Sequence, residues 1–439
     1  MVPLRVPAQR ALASSPAQPR HVLVISVDGL GASLYDRLAG KTHISNLPRL
    51  RREGSYAEGV VGVYPTVTYP SHTTIVTGRT PAEHGIYSNL SSRQPGKDLQ
   101  QWFWFADAIK SPTLWDEARA HHLTTGAVFW PVTAGAPIDW DVPEIWAPQK
   151  PLQVDPTYIA KYSTPGILFQ ALLEMGPPRP GQELDVTRSG LAAFILKKYK
   201  PNLLLVHLCD LDGEEHESGP DSPQTAATLE KIDAHVGELL AADQAAGLAG
   251  STDVFIVSDH GFLPADAELK PNVLLVKAGL LSADEKGEIT GGRIDTVADG
   301  GAFFIYWPNS EDLRSQVNDA LKPLRDQGLL WAVLDRAALR ELGAEPAAQM
   351  ALDAPAGYAF GRSAAGDLLS RGKSTSGTHG HLPFRRELEA SFIAWGPDIK
   401  AGVDLHTIRM TEIAPTVLKA MGINDPKFGD QPPLNDIFK

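Results

Sequence analysis

The amino-acid sequence predicts an α/β fold: a mostly parallel sheet flanked by helices, with a small α+β insertion. Three observations predict it. Short, almost continuously apolar runs recur along the chain, turn-forming or acidic residues close them, and helix-periodic segments lie between them. Ligands of such sheets bind beyond the carboxyl ends of the strands, so the residues that close the runs are the first candidates for function.

The elements follow in chain order. Residues 1–20, "MVPLRVPAQRALASSPAQPR", are rich in Pro, Ala and Arg and read as a disordered arm. A mature N-terminus left after removal of an export signal has the same character, so the compartment stays open between soluble and exported (periplasmic or secreted). Residues 21–439 then read as one catalytic domain. "HVLVISVDGLG" runs apolar from Val22 to Val27 and closes on Asp28-Gly29, as a strand buried on both faces would. In "PTVTYPSHTTIVTG", Pro65 to Gly78, Thr68 stands where a strand-like stretch passes into a helix-like one. "NLLLVHLCDLDG" runs into Asp212-Gly213, "DVFIVSDHG" ends on Asp259, His260 and Gly261, and "ASFIAWGPDI" ends on Gly396-Pro397. "LEKIDAHVGELLAADQ" spaces Leu229, Ile232, Val236 and Leu239 as one face of a helix. Two stretches break the alternation and read as insertions. Residues 90–185 hold Pro/Gly-rich loops and many aromatics; residues 270–375 alternate "AFFIYW", "EDLRSQVNDALKPL", "WAVLD" and "RAALREL", a small α+β unit.

Composition narrows the chemistry. Of 439 residues 43% are hydrophobic and 21% charged, and the formal net charge is −12. An acidic surface argues against binding a nucleic-acid polymer, which depends on a basic field, but leaves room for a small anion held by local cations. One cysteine, Cys209, excludes an internal disulfide and a cysteine-rich metal site. No run approaches the roughly 18 apolar residues of a membrane span.

A metal-ligand set stands out. Asp212 and His216 are four residues apart and face the same way on a helical turn. Asp259 and His260 are adjacent, so sharing an ion requires the backbone to turn, which Gly261 allows. Asp28 closes the first run, and His379 lies in "GTHGH" between Gly377 and Gly380. Three Asp and three His make an O/N set that suits zinc or a similar divalent metal. Singly these are weak signals, since a strand-end Asp-Gly is commonly a turn or cap; their recurrence at strand ends carries the reading.

The motifs "VDG" at Asp28, "PTVTYPSHTTIVTG" around Thr68, "HGIYSN" ending at Asn89, "DGEEHESGP" at Asp212, "SDHG" at Asp259 and "THG" at His379 occur in the order seen in the alkaline phosphatase superfamily. The chain most resembles its nucleotide pyrophosphatase/phosphodiesterase branch, as do "TLWDEARAHHLTTGAVFWP" and "DIKAGVDLHTIRMTEIAPTVLKAMG". The resemblance implies an alkaline-phosphatase-like fold and two zinc ions. Asp212, His216 and His379 would hold one; Asp28, Asp259, His260 and the Thr68 oxygen would hold the other. It further implies that Thr68 attacks phosphorus to give a covalent phospho-threonine, that Asn89 grips a phosphoryl oxygen, and that Tyr69 packs on a nucleobase or other leaving group.

Within the superfamily the residues favour a phosphodiesterase. A sulfatase needs Cys or Ser in a Cys/Ser-x-Pro-x-Arg frame, and the frame here is Thr68-Tyr69-Pro70-Ser71-His72. A phosphomonoesterase holds a more highly charged phosphate with added cations, whereas this segment offers only Arg79 and the neutral Asn89. Phosphonoacetate hydrolase uses lysines that "LTTGAVFWP" lacks. The remaining alternative is a catalytically inactive metal-binding sensor or scaffold, against which every matched position is filled. The expected substrate is a small phosphodiester or nucleotide. Outside the ligand set, His72 and His84 are expected in helix or loop hydrogen bonds, His381 beside the substrate or behind the ligands, Trp130 in the core, and Tyr158 and Tyr162 in loop packing.

Overall fold

Val22, Leu23, Val24, Ile25 and Val27 are all buried, because the strand His21–Val27 is covered on both faces. The computed structural model of the chain describes residues 20–91, 102–147, 150–154, 156–179 and 181–439. The arm expected over residues 1–20 lies, Arg20 apart, outside the described residues. His21–Val27 sits inside an eight-stranded sheet whose order is Val403–Asp404, Ser55–Tyr56, Phe392–Trp395, Thr252–Val257, His21–Val27, Leu203–Leu208, Thr125–Val128, Trp140–Val142. Side chains alternate between two apolar layers. Leu23, Ile25, Leu204 and Val206 pack under helices Leu184–Tyr199 and Pro223–Ala245; Val22, Val24, Leu205 and Phe255 pack under Thr68–Thr77, Leu114–Ala120 and Ile413–Ala420.

Parallel pairing in register places the functional edge. Val27 pairs with Leu208 and Ser26 with Val257, so the central three strands end level. Asp28, the Cys209–Asp212 turn and Asp259-His260 therefore leave the sheet together. Phe392–Trp395 runs antiparallel to Thr252–Val257. It was expected to share the grammar of the other runs; its reversed direction explains why it ends on Gly396-Pro397 instead of a ligand. The end that reaches the functional edge is its beginning, and the chain delivering it carries His379.

The expectation for residues 90–185 needs correction. Thr125–Val128 and Trp140–Val142 are parallel members of the main sheet, and Leu114–Ala120 packs on it. These strands are short and Trp140–Val142 is broken by an aspartate, so their apolar runs gave no periodic signal. Within residues 270–375 a second sheet forms, while Gly357–Phe360 and Leu369–Thr378 pair instead with Leu263–Leu269. Asp295–Asp299, Ala302–Tyr306, Met350–Asp353 and Ala332–Asp335 make an antiparallel sheet under helices Glu311–Ala320 and Lys322–Asp326, with Arg336–Glu341 beside them. Among the described residues no helix is long and apolar enough to cross a membrane.

Every residue of helix Thr68–Thr77 is buried, so it needs no amphipathic stripe. Its threonines return their hydroxyls to the helix: Thr73 Oγ1 donates to Tyr69 O at 2.8 Å and Thr77 Oγ1 to Thr73 O at 2.7 Å. His84 pins the following loop to this helix, with Nε2 3.1 Å from Thr74 Oγ1 and Nδ1 accepting from the Ile86 N–H at 3.1 Å.

Burial lowers the His84 pKa to about 3, against roughly 6.5 in an unfolded chain. Below that higher value the unfolded chain takes up a proton that the folded protein refuses. The contribution of His84 is therefore complete above roughly pH 6.5 and shrinks as pH falls, by about 1.4 kcal/mol per unit. His84→Asn keeps an acceptor for Ile86 and cannot titrate. Chemical unfolding at pH 7, 6, 5 and 4 should show the parent losing stability relative to the variant at about that slope; a pH-independent difference refutes the neutral, buried state.

Candidate metal centre and nucleophile

Two groups of three side chains gather at the level edge of the sheet. Asp28, Asp259 and His260 place one ligand atom each within 4.8 Å of one another, and so do Asp212, His216 and His379. In the first group His260 Nε2 lies 3.4 Å from Asp28 Oδ1 and 3.2 Å from Asp259 Oδ2. In the second, Asp212 Oδ1 lies 3.5 Å from His216 Nε2 and 3.7 Å from His379 Nε2. The His260 and His379 rings stack 3.7 Å apart, which makes the two groups neighbours.

Local structure explains each placement. Asp212 and His216 lie one turn apart on helix Asp210–Ser218, as their spacing predicts. Gly29 takes φ 77°, donates its N–H to Asp259 Oδ1 at 3.1 Å, and leaves no room for a Cβ beside Glu215 and Phe262. Gly261 has a different reason from the one its sequence suggests. Its φ is not left-handed; a Cβ there would strike the Glu387 carbonyl, so close approach, not turning, requires the glycine.

The electrostatics fit cations. Burial pushes the carboxyls of Asp28 and Asp259 well above the usual range, and each is pushed further by a neighbouring carboxylate. Burial likewise raises Asp212 and depresses His260 and His379. Asp28 Oδ1, Asp212 Oδ1, Asp259 Oδ2 and both His260 nitrogens are buried without hydrogen-bond partners. His379 Nδ1 faces the Thr66 carbonyl at 2.9 Å and His216 Nδ1 faces the Gly377 carbonyl at 3.1 Å. Carbonyls accept, so both Nδ1 atoms carry the proton and both Nε2 atoms present lone pairs. Those two Nε2 atoms are 3.1 Å apart and cannot bond each other as acceptors. A divalent cation in each group would give these carboxylate oxygens, and one nitrogen of each imidazole, a partner.

Thr68 opens its helix, 8% exposed, after the extended Val67. Two ties hold it to the ligand groups. His72 Nδ1 is 2.8 Å from Thr68 O and 3.6 Å from Asp259 Oδ2, and Thr66 accepts from His379. Asn89 Oδ1 accepts from the Tyr69 N–H at 2.8 Å, which turns its amide NH₂ outward as a donor. That bond also revises what the helix start offers an anion. The Tyr69 N–H is taken and Pro70 has none, so the first turn presents fewer donors than an ordinary N-terminus.

Tyr69 departs from its expected role. Its ring is fully buried, 5.4 Å from Trp102, and its hydroxyl donates to Glu144 Oε1 at 3.1 Å. It has no open face for a nucleobase. The other aromatic and histidine expectations fare variously. Trp130 is core, and Tyr162 packs edge-on against Phe105. His381 is buried behind the His379 loop, its carbonyl accepting from the Thr66 hydroxyl at 2.9 Å. Asp210 does not compete with Asp212, since its Oδ2 accepts from the Asp185 N–H at 3.0 Å.

Sequence reasoning missed four buried groups around the site: Glu144, Arg188, His207 and Glu215. The one available signal was His207, a polar residue interrupting the apolar run Leu203–Leu208. Next to the neighbours of Asn89, a cavity of about 490 Å³ is lined by Ser88 and Leu90 together with Tyr87, Phe103, Lys110, Tyr306, Asp107 and Glu345. It joins the Asn89 loop to the α+β unit.

Comparison with known proteins agrees with this geometry. Residues 22–381 match the family model described as type I phosphodiesterase / nucleotide pyrophosphatase. Ectonucleotide pyrophosphatase/phosphodiesterase family member 1 of Mus musculus is 24% identical over 440 residues, covering 95% of this chain and 42% of that protein. Bis(5'-adenosyl)-triphosphatase of Bos taurus is 29% identical over 260 residues, covering 56% of this chain and 49% of that protein. The alignments thus span less than half the length of these relatives. Among solved structures, murine ectonucleotide pyrophosphatase/phosphodiesterase 5, an inactive form in complex with AMP, superposes with a TM-score of 0.69 at 17% identity, covering 96% of this chain and 100% of that one. The likeness shows a shared fold.

The His216 side chain is 44% exposed, so its removal should leave the fold intact. His216→Ala is expected to lower divalent-cation stoichiometry in equilibrium dialysis from two towards one. Retention of the parental stoichiometry would remove His216 from the ligand set.

Proposed function

Since this chain belongs to the type I phosphodiesterase/nucleotide pyrophosphatase family, we propose that it hydrolyses small nucleotide-type phosphodiester or pyrophosphate substrates through a covalent phospho-threonine at Thr68. The observation that carries this reading is the gathering of six carboxylate and imidazole side chains in two adjoining groups, with the start of the Thr68 helix tied to them through His72 and through Thr66. Zinc suits the mixed carboxylate and imidazole set. Asp212, His216 and His379 would hold one ion; Asp28, Asp259, His260 and Thr68 would hold the other. When bound, the two cations supply the positive charge that favours an ionised hydroxyl at neutral pH and offsets charge gathering on the phosphoryl oxygens.

The residues of this chain divide the remaining work. Thr68 Oγ1 forms a bond to phosphorus as the bond to the leaving-group oxygen breaks; water then displaces Thr68 and restores its hydroxyl. Asn89, held by the Tyr69 N–H, donates its amide to a phosphoryl oxygen. A neutral donor suits a diester, which carries less charge than a monoester. The cavity next to the Asn89 loop would offer a leaving group of nucleotide size the aromatic rings of Tyr87, Phe103 and Tyr306, with Lys110, Asp107 and Glu345 as its charged residues. The names of the two relatives above, a nucleotide pyrophosphatase/phosphodiesterase and a bis(5'-adenosyl)-triphosphatase, support that substrate class. The net charge of −12 supports a small ligand over a nucleic-acid polymer.

Thr68→Ala should retain zinc and lose turnover by a factor on the order of 10³ or more. Near-parental turnover at unchanged zinc content refutes the nucleophile. The zinc-loaded parent should prefer p-nitrophenyl thymidine monophosphate and bis-p-nitrophenyl phosphate over p-nitrophenyl phosphate; the reverse preference refutes the diesterase reading.

A further inference from the structure

Behind the ligand groups lies a buried charged chain that the mechanism above leaves unused. His207 is 1% exposed and faces two carboxylates. Its Nε2 is 2.9 Å from Asp28 Oδ2 and its Nδ1 is 3.0 Å from Glu144 Oε2. Arg188, also 1% exposed, donates Nη2 to Glu144 Oε2 at 3.0 Å and Nη1 to the His207 carbonyl at 3.0 Å. The other oxygen of Glu144 accepts from the Tyr69 hydroxyl at 3.1 Å and the Trp146 indole at 3.2 Å.

Glu144 therefore touches both halves of the site at one remove. Through His207 it fixes Asp28 Oδ2, so that only Oδ1, which has no partner, is aimed at His260. Through Tyr69 it fixes the residue whose peptide N–H orients Asn89 and whose neighbour is Thr68. Burying such a chain is costly unless its charges are met, so the chain is weak evidence for a role in stability. The backbone beside it is also under strain: Phe129 adopts φ 53°, with its carbonyl 3.2 Å from His207 Nδ1 and its ring under the Arg188 guanidinium. Outer groups that orient a metal ligand are known to matter almost as much as the ligand.

We infer that Glu144 is a positioning residue that couples the Asp28 carboxylate, through His207, to the Thr68 turn, through Tyr69. The inference rests on the reading that Asp28 holds a cation. Cutting one arm should then affect metal affinity alone, and cutting the other should affect turnover alone.

Zinc binding by the full chain is measured by competition with a chromophoric chelator, beside kcat, KM and melting temperature with bis-p-nitrophenyl phosphate. His207→Gln should weaken one of two zinc ions about 10- to 100-fold. Tyr69→Phe should keep both zinc ions at parental affinity while kcat falls about 10-fold or more and KM stays within about twofold. Glu144→Gln should show both defects. Parental zinc affinity in Glu144→Gln, or parental kcat in Tyr69→Phe, overturns the coupling. So does loss of both zinc ions together with a large fall in melting temperature in all three variants, which marks a purely structural role. A parent protein that binds no zinc overturns the underlying site reading instead, and this inference with it.

Discussion

Three carboxylates and three imidazoles are held together at one edge of the sheet, four of them buried and Asp212 and His216 partly open to water. That is the constraint on which the rest of the structure depends. Asp28, Asp259 and Asp212 repel one another, and burial disfavours the charged form of each. The fold must hold them against that cost, and it does so with rigid elements. Asp28 and Asp259 leave adjacent parallel strands in register, and Asp212 leaves a third through one helical turn. A chain without this framework would move the groups apart, protonate the acids, or both.

Orientation is settled as firmly as position. Backbone carbonyls at Thr66 and Gly377 fix the tautomers of His379 and His216, so that lone pairs meet where a cation fits. His207 occupies one oxygen of Asp28 and leaves the other bare. The imidazole of His72 spans from helix Thr68–Thr77 towards Asp259. Asp28, Asp259, His216 and His379 are thus each held by an outer partner from another element, and the site's precision is a property of the whole sheet edge.

The turn at Thr68 obeys the same logic. Thr68 is held at the mouth of a helix buried on every side, in which Thr73 and Thr77 return their hydroxyls to the helix backbone. Tyr69 is turned into the core, and a cavity lies beside Ser88 and Leu90, where that loop meets the strand Ala302–Tyr306.

What the sequence by itself determined was local. A parallel sheet was legible because doubly buried strands must be apolar along their whole length. The ligand candidates were legible because they close those strands, and because Asp212 and His216 are spaced by one helical turn. Thr68 and Asn89 were legible through motif resemblance. What only the tertiary structure decided depends on residues far apart in the chain. The reversed direction of Phe392–Trp395 is set by its pairing with Thr252–Val257, and the sheet membership of Thr125–Val128 by its pairing with Leu203–Leu208. Tyr69 faces inward because Glu144, 75 residues away, accepts its hydroxyl. His207 meets Asp28 across 179 residues. A side chain's partner at such separations leaves no periodicity, spacing or composition to read; it is fixed only when the strands pair and the polar groups they bury must find one another.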